Sequence, residues 1–254
     1  MPPSHRLKSL SRDDLADFLA ENLTLLVEDE VLEVLDNPNV TPQMIGKIAQ
    51  TARLTSFHGV RVRLVAHRQT PQAHAVKFVH YLYWFDLLRL STDVQVPSPV
   101  RRAIDTQMLN RVDKLSVGEK VTSARSCSQA LVKTFLYDPS PRVFEALLLN
   151  KRLREDDLLA LMSSDRALPH QLLMIGNDMR WSFRQQIRKA LVLNPKTPRA
   201  TAATQLRYLS KLERRRIHAN PATSLYVRRC IERLQPDDFG VRSDSIDYNA
   251  EPDA

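Results

Sequence analysis

The stretch Asn194-Pro195-Lys196-Thr197-Pro198, together with its earlier copy His67-Arg68-Gln69-Thr70-Pro71, predicts how this chain folds. Proline cannot continue a helix because it lacks an amide hydrogen, yet it is tolerated at the first position of a new one. A threonine hydroxyl can accept hydrogen bonds from the free amides of that new helix. Each stretch therefore predicts the end of one helix and the start of the next, with Thr197 as the cap and Pro198 at the first helical position.

The chain around these two stretches repeats, because position n resembles position n + 127. We call this matching the repeat register. Between residues 28 and 104, 20 of 77 positions hold the same amino acid as their match in this register, and no gap is needed. A repeat of this length with many short helices indicates two tandem copies of one multi-helix module, the second copy being shorter.

Apolar residues recur at helical spacing through most of the chain, and strand and hairpin signals are weak. Helices are predicted near residues 12–20, 28–35, 42–49, 58–67, 70–82, 84–92, 99–113, 117–125, 128–137, 141–149, 155–163, 169–177, 183–193, 198–209, 211–218 and 224–234. Helices this short are unstable alone and must pack side by side. The fold class is therefore predicted to be all-α.

Two stretches resemble the HEAT-repeat pattern, in which a proline turn is followed by valine, arginine, alanine and leucine. They are Asp138-Pro139-Ser140-Pro141-Arg142-Val143-Phe144-Glu145-Ala146-Leu147 and Pro97-Ser98-Pro99-Val100-Arg101-Arg102-Ala103. The Asn-Pro-x-Thr-Pro stretch also resembles hinges of bacterial leucine-rich-repeat-variant proteins, which are helical solenoids. The resemblance covers roughly residues 25–232 and implies an α-solenoid of about eight stacked helix hairpins, similar to HEAT and armadillo proteins.

Four segments follow from the repeat and from the composition. They are an N-terminal cap region at 1–24, a first module at 25–150, a second module at 151–234 and an acidic tail at 235–254, which we expect to be disordered. The tail holds six of the acidic residues and only one arginine, so the rest of the chain carries 36 basic and 23 acidic residues. A body this basic suits an acidic protein, a nucleic acid or anionic lipid, or is simply an arginine-rich surface. The tail is a candidate for intramolecular contact with the basic body.

The composition argues against several classes of protein. Only 5 residues are glycine, which disfavours backbone loops that cradle phosphates. The two cysteines, Cys127 and Cys230, fit no metal or redox spacing and suggest a reducing compartment. No run of 18 apolar residues and no apolar N-terminal leader is present, so we expect a cytoplasmic protein without a membrane span.

Arginines that recur in both copies are the first candidates for binding a partner. The recurring pairs are Arg53 with Arg180, Arg61 with Arg188, Arg89 with Arg216, Arg101 with Arg228, and Arg102 with Arg229. Equivalent positions of a solenoid share a face, so these pairs could form basic stripes. Alternatively, each could donate to a carbonyl or an acid of the adjacent repeat and cover apolar surface with its stem.

The densest basic cluster is the run Arg214, Arg215 and Arg216, with Arg207, Lys211 and His218 nearby. Its arginines and its lysine are candidate phosphate ligands. A solvated helix face is the alternative.

Among the aromatic residues, Phe78, Tyr81 and Phe85 have helical spacing and are predicted to be core. Either Tyr83 or Trp84 is expected to be exposed, and Trp181 to be buried.

No residues form a recognisable catalytic, cofactor or metal motif. We therefore expect a non-catalytic helical-repeat scaffold that binds a macromolecular partner through a basic face. The alternatives are a nucleic-acid-binding protein, similar to helical-repeat DNA-repair proteins, and an enzyme without a recognisable motif.

Overall fold

The computed structural model describes residues 4–239, and these residues contain helices and turns but no strand. The sixteen predicted helices are present, which confirms the all-α class, and one further helical turn follows them. The helices are α1 Arg12–Asn22, α2 Glu28–Asp36, α3 Pro42–Gln50, α4 His58–Ala66, α5 Gln72–Val79, α6 Trp84–Ser91, α7 Ser98–Leu109, α8 Val117–Ala124, α9 Gln129–Phe135, α10 Pro141–Leu148, α11 Glu155–Met162, α12 Pro169–Asn177, α13 Gln185–Leu193, α14 Arg199–Arg207, α15 Lys211–Ala219, α16 Leu225–Leu234 and α17 Pro236–Phe239. Short 3-10 turns lie at Ser4–Ser9, Leu54–Ser56 and Val112–Lys114.

Several helices begin at a residue whose side chain caps the first turn. The Ser11 hydroxyl accepts from the amide of Asp14 at the start of α1. Thr41 caps α3 in the same way, with Pro42 at the first helical position. These side chains satisfy amides that have no partner within the helix, which sets the helix start at that residue.

The prediction for Thr197 and Pro198 is wrong. Helix α14 begins at Arg199, Pro198 precedes it with extended ψ, and the buried Thr197 hydroxyl has no hydrogen-bond partner among the described residues. Instead, Asn194 organises the turn. Its Oδ1 accepts from the amide of Lys196 at 2.8 Å, and its Nδ2 donates to the Met162 carbonyl at 2.6 Å.

The Asn194 turn is one example of a device that recurs after many helices. A side chain at the helix end accepts a hydrogen bond from the amide two residues later, at 2.7 to 3.2 Å. Such a bond imitates a backbone turn and stops the helix locally. In the described part of the chain the accepting residues are Asn37, His67, Asp93, Asp138, Asn150, Ser164, Asp178, Asn194 and Asn220.

The described residues divide into two compact units. Unit 1 comprises residues 4–135 with 150–152, and unit 2 comprises residues 136–149 with 153–239. The boundaries that the repeat predicts, at residues 24, 150 and 234, remain predictions. Of the predicted tail at 235–254, only residues up to 239 are described, and α17 lies among them; residues 240–254 lie outside the described part.

Within each unit, helices pack both on their neighbour in sequence and on the helix two positions away. In unit 1, α4 packs on α5 and α6 on α7, while α2 packs on α4 and α5 on α7. In unit 2, α13 packs on α14 and α15 on α16, while α11 packs on α13 and α12 on α14. Each helix thus buries its apolar face against several others, which short helices require.

The cores of both units consist of aliphatic and aromatic side chains at helical spacing. Val31, Ile48 and Leu64 are fully buried in unit 1, and Phe144 and Leu206 are fully buried in unit 2. In residues 4–239, the longest helix has 12 residues, and none has the length and apolar character of a membrane span.

Candidate functional site

Arg53 and Arg180 each bind backbone carbonyls of a preceding turn. Arg53 Nη1 donates to the Leu26 carbonyl at 3.1 Å and also to the Thr24 carbonyl. Arg180 Nη2 donates at 3.5 Å to the carbonyl of Leu153, which matches Leu26 in the repeat register. The two arginines therefore hold the turn before α2 and the turn before α11 in the same way, which agrees with the structural alternative for this pair.

Arg61 and Arg188 also make matching contacts. Each donates through Nε to a carbonyl six residues earlier, at 2.5 and 2.7 Å. The guanidinium of Arg61 lies 5.6 Å from the ring centre of Tyr81, and that of Arg188 lies 4.6 Å from the ring centre of Tyr208. The two tyrosines match each other in the repeat register, so the two arginines pack in the same way in the two units.

The pairs Arg101 with Arg228 and Arg102 with Arg229 have different surroundings. Arg228 donates to the carbonyls of Asn220 and Pro221 at 3.0 and 3.1 Å and thereby closes the end of α15. Arg102 and Arg229 are exposed, and their side chains make no hydrogen bond or ion pair with other described residues. The latter two are therefore available to a ligand, although they line neither of the clefts described below.

Arg101 is half-buried next to Asp105. Burial raises the pKa of Asp105, while a 2.6 Å hydrogen bond from Ser128 and the charge of Arg101 act in the opposite direction. Arg101 therefore compensates a partly buried carboxyl group.

The members of the cluster from Arg207 to Arg216 lie in different surroundings. Lys211 and Arg215 both bind the carboxylate of Asp238, at 3.0 and 2.6 Å. Arg214 is half-buried, and its Nε has no partner among the described residues, whereas Arg207 is exposed. The five basic residues therefore do not form one uniform basic patch on the surface.

Unit 1 contains a cleft of about 770 Å³ across helices α2, α4 and α6, which we call the first cleft. It is lined by Leu32, Asp36, His58, Gly59, Val62, Arg63, Ala66, Asp86, Arg89, Leu90 and Asp93.

Unit 2 contains the second cleft, which runs across α11, α13 and α15 as two adjoining pockets of about 470 and 200 Å³ that share Lys189 and Leu193. Its other lining residues are Leu159, Met162, Ser163, Ser164, Asp165, Gln186, Ala190, Asn194, Pro195, Lys196, Glu213, Arg216, Ile217 and Asn220.

The two clefts are built from equivalent positions. Apart from His58, every residue lining the first cleft has its match in the repeat register among the residues lining the second. Leucine is kept at positions 32 and 159, and arginine is kept at positions 89 and 216. Arg89 and Arg216 are therefore the recurring pair that the fold places at the mouth of a cleft.

A polar link crosses each cleft at the same place. In the first cleft, His58 Nε2 lies 2.8 Å from Asp86 Oδ2. In the second, Gln185 Nε2 donates to Glu213 Oε1 at 2.5 Å. These contacts join α4 to α6 and α13 to α15.

The charges around the two clefts differ. The Lys189 ammonium lies 2.6 Å from Glu213, and this bond, with those from Ser210, lowers the pKa of Glu213 to about 2. In the first cleft, Asp86 lies between His58 and Arg89, whose guanidinium is 3.9 Å away. Arg216 makes no ion pair with other described residues, so it can receive an external anion.

Sequence reasoning named Arg89 and Arg216 but missed the clefts and their acidic groups, Asp86 and Glu213. The repeat alignment contains a usable signal, since an acid occupies position 86 and also position 213. Aspartate and glutamate are similar but not identical, so this position is absent from the 20 identities.

The aromatic residues follow the predictions in part. Trp84 is buried and donates from Nε1 to the Ser123 hydroxyl at 2.7 Å, while Tyr83 is exposed. Trp181 is buried as predicted. Tyr81 and Phe85 are more than half exposed, so their assignment to the core is wrong: they lie at and just after the turn where α6 begins, and their rings face solvent.

Cys127 is held in a buried polar environment. Asn150 Nδ2 lies 3.4 Å from its Sγ and donates to the Ala124 carbonyl at 2.8 Å. Burial raises the pKa of the Cys127 thiol to about 12. The group therefore stays protonated and unreactive near neutral pH.

Comparison of the chain with protein-family models, with curated proteins and with solved structures finds no match.

Proposed function

We propose that this chain is a non-catalytic helical-repeat scaffold that binds extended acidic segments of a protein partner along its two clefts. The observation that carries this proposal is the recurrence of Arg89 and Arg216 at the mouths of clefts built from positions that match in the repeat register. Arginine is suited to this role because its planar guanidinium binds a carboxylate through two parallel hydrogen bonds.

The proposal includes the finer architecture, an α-solenoid built as two tandem copies and related to HEAT-like repeats. Supporting this, helices two apart in sequence pack together within each unit. The carbonyl and tyrosine contacts of Arg61 recur at Arg188, as expected of duplicated modules.

A protein segment fits the clefts better than a nucleic-acid backbone because the clefts combine an apolar floor with charged rims. Leu32 and Leu90 contribute apolar surface to the first cleft, and Leu159 and Ile217 do so in the second. A peptide can use both parts, with side chains on the floor and carboxylates at the arginines. The net charge of +8 attracts acidic partners in general.

The test measures binding of a fluorescent 12-residue peptide of alternating glutamate and leucine by anisotropy. We expect the double variant Arg89→Glu, Arg216→Glu to bind at least tenfold more weakly, because each cleft then loses its recurring arginine and gains a further negative charge that repels the carboxylates; a tenfold change corresponds to about 1.4 kcal/mol.

The matched control is Arg102→Glu with Arg229→Glu, which changes the net charge equally at another recurring pair outside the clefts. This variant should retain peptide affinity to within about threefold. Equal losses in the two variants would reduce the effect to overall charge and would refute the clefts as binding sites. Tighter binding of a twenty-residue thymidine oligonucleotide than of the peptide would favour the nucleic-acid alternative.

A further inference from the structure

Helix α17 lies against the basic side of α15 through one carboxylate. Arg215 binds Asp238 with two parallel contacts, Nη2 to Oδ1 at 2.6 Å and Nε to Oδ2 at 3.2 Å. Lys211 Nζ adds a contact to Oδ1 at 3.0 Å, and Gln235 Nε2 donates to Oδ2 at 2.9 Å. The Asp238 side chain is only 9% exposed, so α15 holds a complete carboxylate-binding arrangement with its ligand in place.

An aromatic ring accompanies that carboxylate. The Phe239 ring lies 4.2 Å from the imidazole of His218, between ring centres, and packs against the core cluster of unit 2. His218 Nε2 is oriented by Glu232 Oε1 at 2.8 Å. The face formed by Lys211, Arg215 and His218, which we call the α15 face, therefore binds a carboxylate followed directly by an aromatic residue.

The contacts that hold α17 against α15 are weak enough for another segment to replace α17. The helix has only four residues, and none of its residues is fully buried. Lys211 and Arg215 remain 60% and 52% exposed even while paired with Asp238. Ion pairs with such exposed partners contribute little to stability and weaken with salt, so a partner at higher effective concentration can displace the carboxylate.

We propose that the α15 face is a docking surface for an acidic protein segment in which an aromatic residue follows the carboxylate, and that α17 is the internal segment that covers it. This proposal rests on the proposed function for the class of partner, but it concerns a different surface from the clefts. The occupant observed on this face has that chemistry. Glu232 next to the aromatic position disfavours a chain of phosphates, which would place a second negative charge there.

The experiment uses the full chain and an acetylated, amidated peptide with the sequence of residues 232–239. Binding is followed by NMR through the backbone amide signal of His218. We expect the variant Asp238→Asn with Phe239→Ala, which releases both anchors of α17, to bind the peptide at least fivefold more tightly than the unmodified chain. Asp237→Asn is the matched control, because Asp237 is exposed and makes no ion pair with the described residues, and it should leave the affinity unchanged.

Two further variants make the test decisive. Adding Arg215→Ala to the opened chain should abolish the gain, and a peptide with asparagine at its second aspartate should bind neither form. The single variant Asp238→Asn keeps Phe239 and should give a smaller gain, which covers the case in which the double variant loses stability.

The proposal is overturned if opening α17 leaves peptide binding unchanged, if Arg215→Ala has no effect, or if the opened chain prefers the thymidine oligonucleotide to the peptide. Arg89 and Arg216 are unaltered throughout, so failure here is distinguishable from failure of the clefts.

Discussion

At the scale of single residues, the recurrence of an arginine at matching positions does not by itself show whether it has a structural role or a binding role. Arg53 and Arg180 recur, and each donates a hydrogen bond to a carbonyl of a preceding turn. Arg89 and Arg216 recur at cleft mouths, where Arg216 makes no ion pair with any described residue. A guanidinium serves both purposes equally well, so only its surroundings identify its role.

Glu213 is the residue whose ionisation should matter most for stability. Its carboxylate closes the capping box of α15 with Ser210 and binds Lys189 and Gln185 of α13. Because its pKa is lowered from 4.5 to about 2 in the folded chain, this stabilisation is fully present above pH 4.5 and is lost as the pH falls toward 2.

We therefore expect Glu213→Gln to lower the free energy of unfolding by about 1 to 2 kcal/mol at pH 7, and the difference to shrink between pH 4.5 and 2. Urea denaturation across this pH range measures both effects. Glu119→Gln is the control, since Glu119 closes a similar box with Ser116 but makes no ion pair with the described residues. An equal loss in that variant would show that the contacts of Glu213 with Lys189 and Gln185 contribute nothing beyond the capping box.

At the scale of elements, short helices are ended by side chains that imitate a turn. Asn194 does this and also donates to the Met162 carbonyl at the end of α11, so one residue ends α13 and joins it to α11. The side chain of Asn220 makes only the first of these bonds. An asparagine at a helix end therefore contributes more to stability where its side chain also reaches a carbonyl of another helix.

This difference predicts unequal effects of two alanine substitutions. Asn194→Ala should lower stability by about 1 to 3 kcal/mol, because it removes both bonds and leaves a carbonyl without its partner. Asn220→Ala should cost less, about 1 kcal/mol, since only the turn bond is lost. Both residues have φ values near −75° and ψ near 120°, which alanine adopts without strain. Thermal unfolding compares the two, and equal losses would contradict a joining role for Asn194.

At the scale of the whole molecule, the two units are not two consecutive halves of the chain. Residues 150–152 belong to unit 1, although residues 136–149 before them belong to unit 2. Asn150 contributes to unit 1 through its bond to the Ala124 carbonyl at 2.8 Å. A cut between residues 127 and 149 therefore removes a part of unit 1.

We expect residues 1–127, expressed alone, to lack a cooperative thermal transition, because α9 and Asn150 are missing. Residues 1–152 contain all of unit 1 and should melt cooperatively, as followed by circular dichroism at 222 nm. Within the longer fragment, Asn150→Ala should lower the melting temperature. A cooperative transition in the shorter fragment, at the same temperature as in the longer one, would refute this division.

The sequence by itself determined the all-α class, the positions of sixteen helices and the repeat register. These depend on apolar spacing, on proline and on caps, which act within a few residues of chain, and on identities that a direct comparison of the chain with itself reveals. Only the tertiary structure decided which recurring arginines line a cleft, and that Asp86 and Glu213 accept contacts from a second helix beside each cleft. It also decided that Asp238 forms ion pairs with Lys211 and Arg215. These contacts join residues 23 to 28 positions apart, and their geometry is set by how the helices pack, which no local pattern encodes.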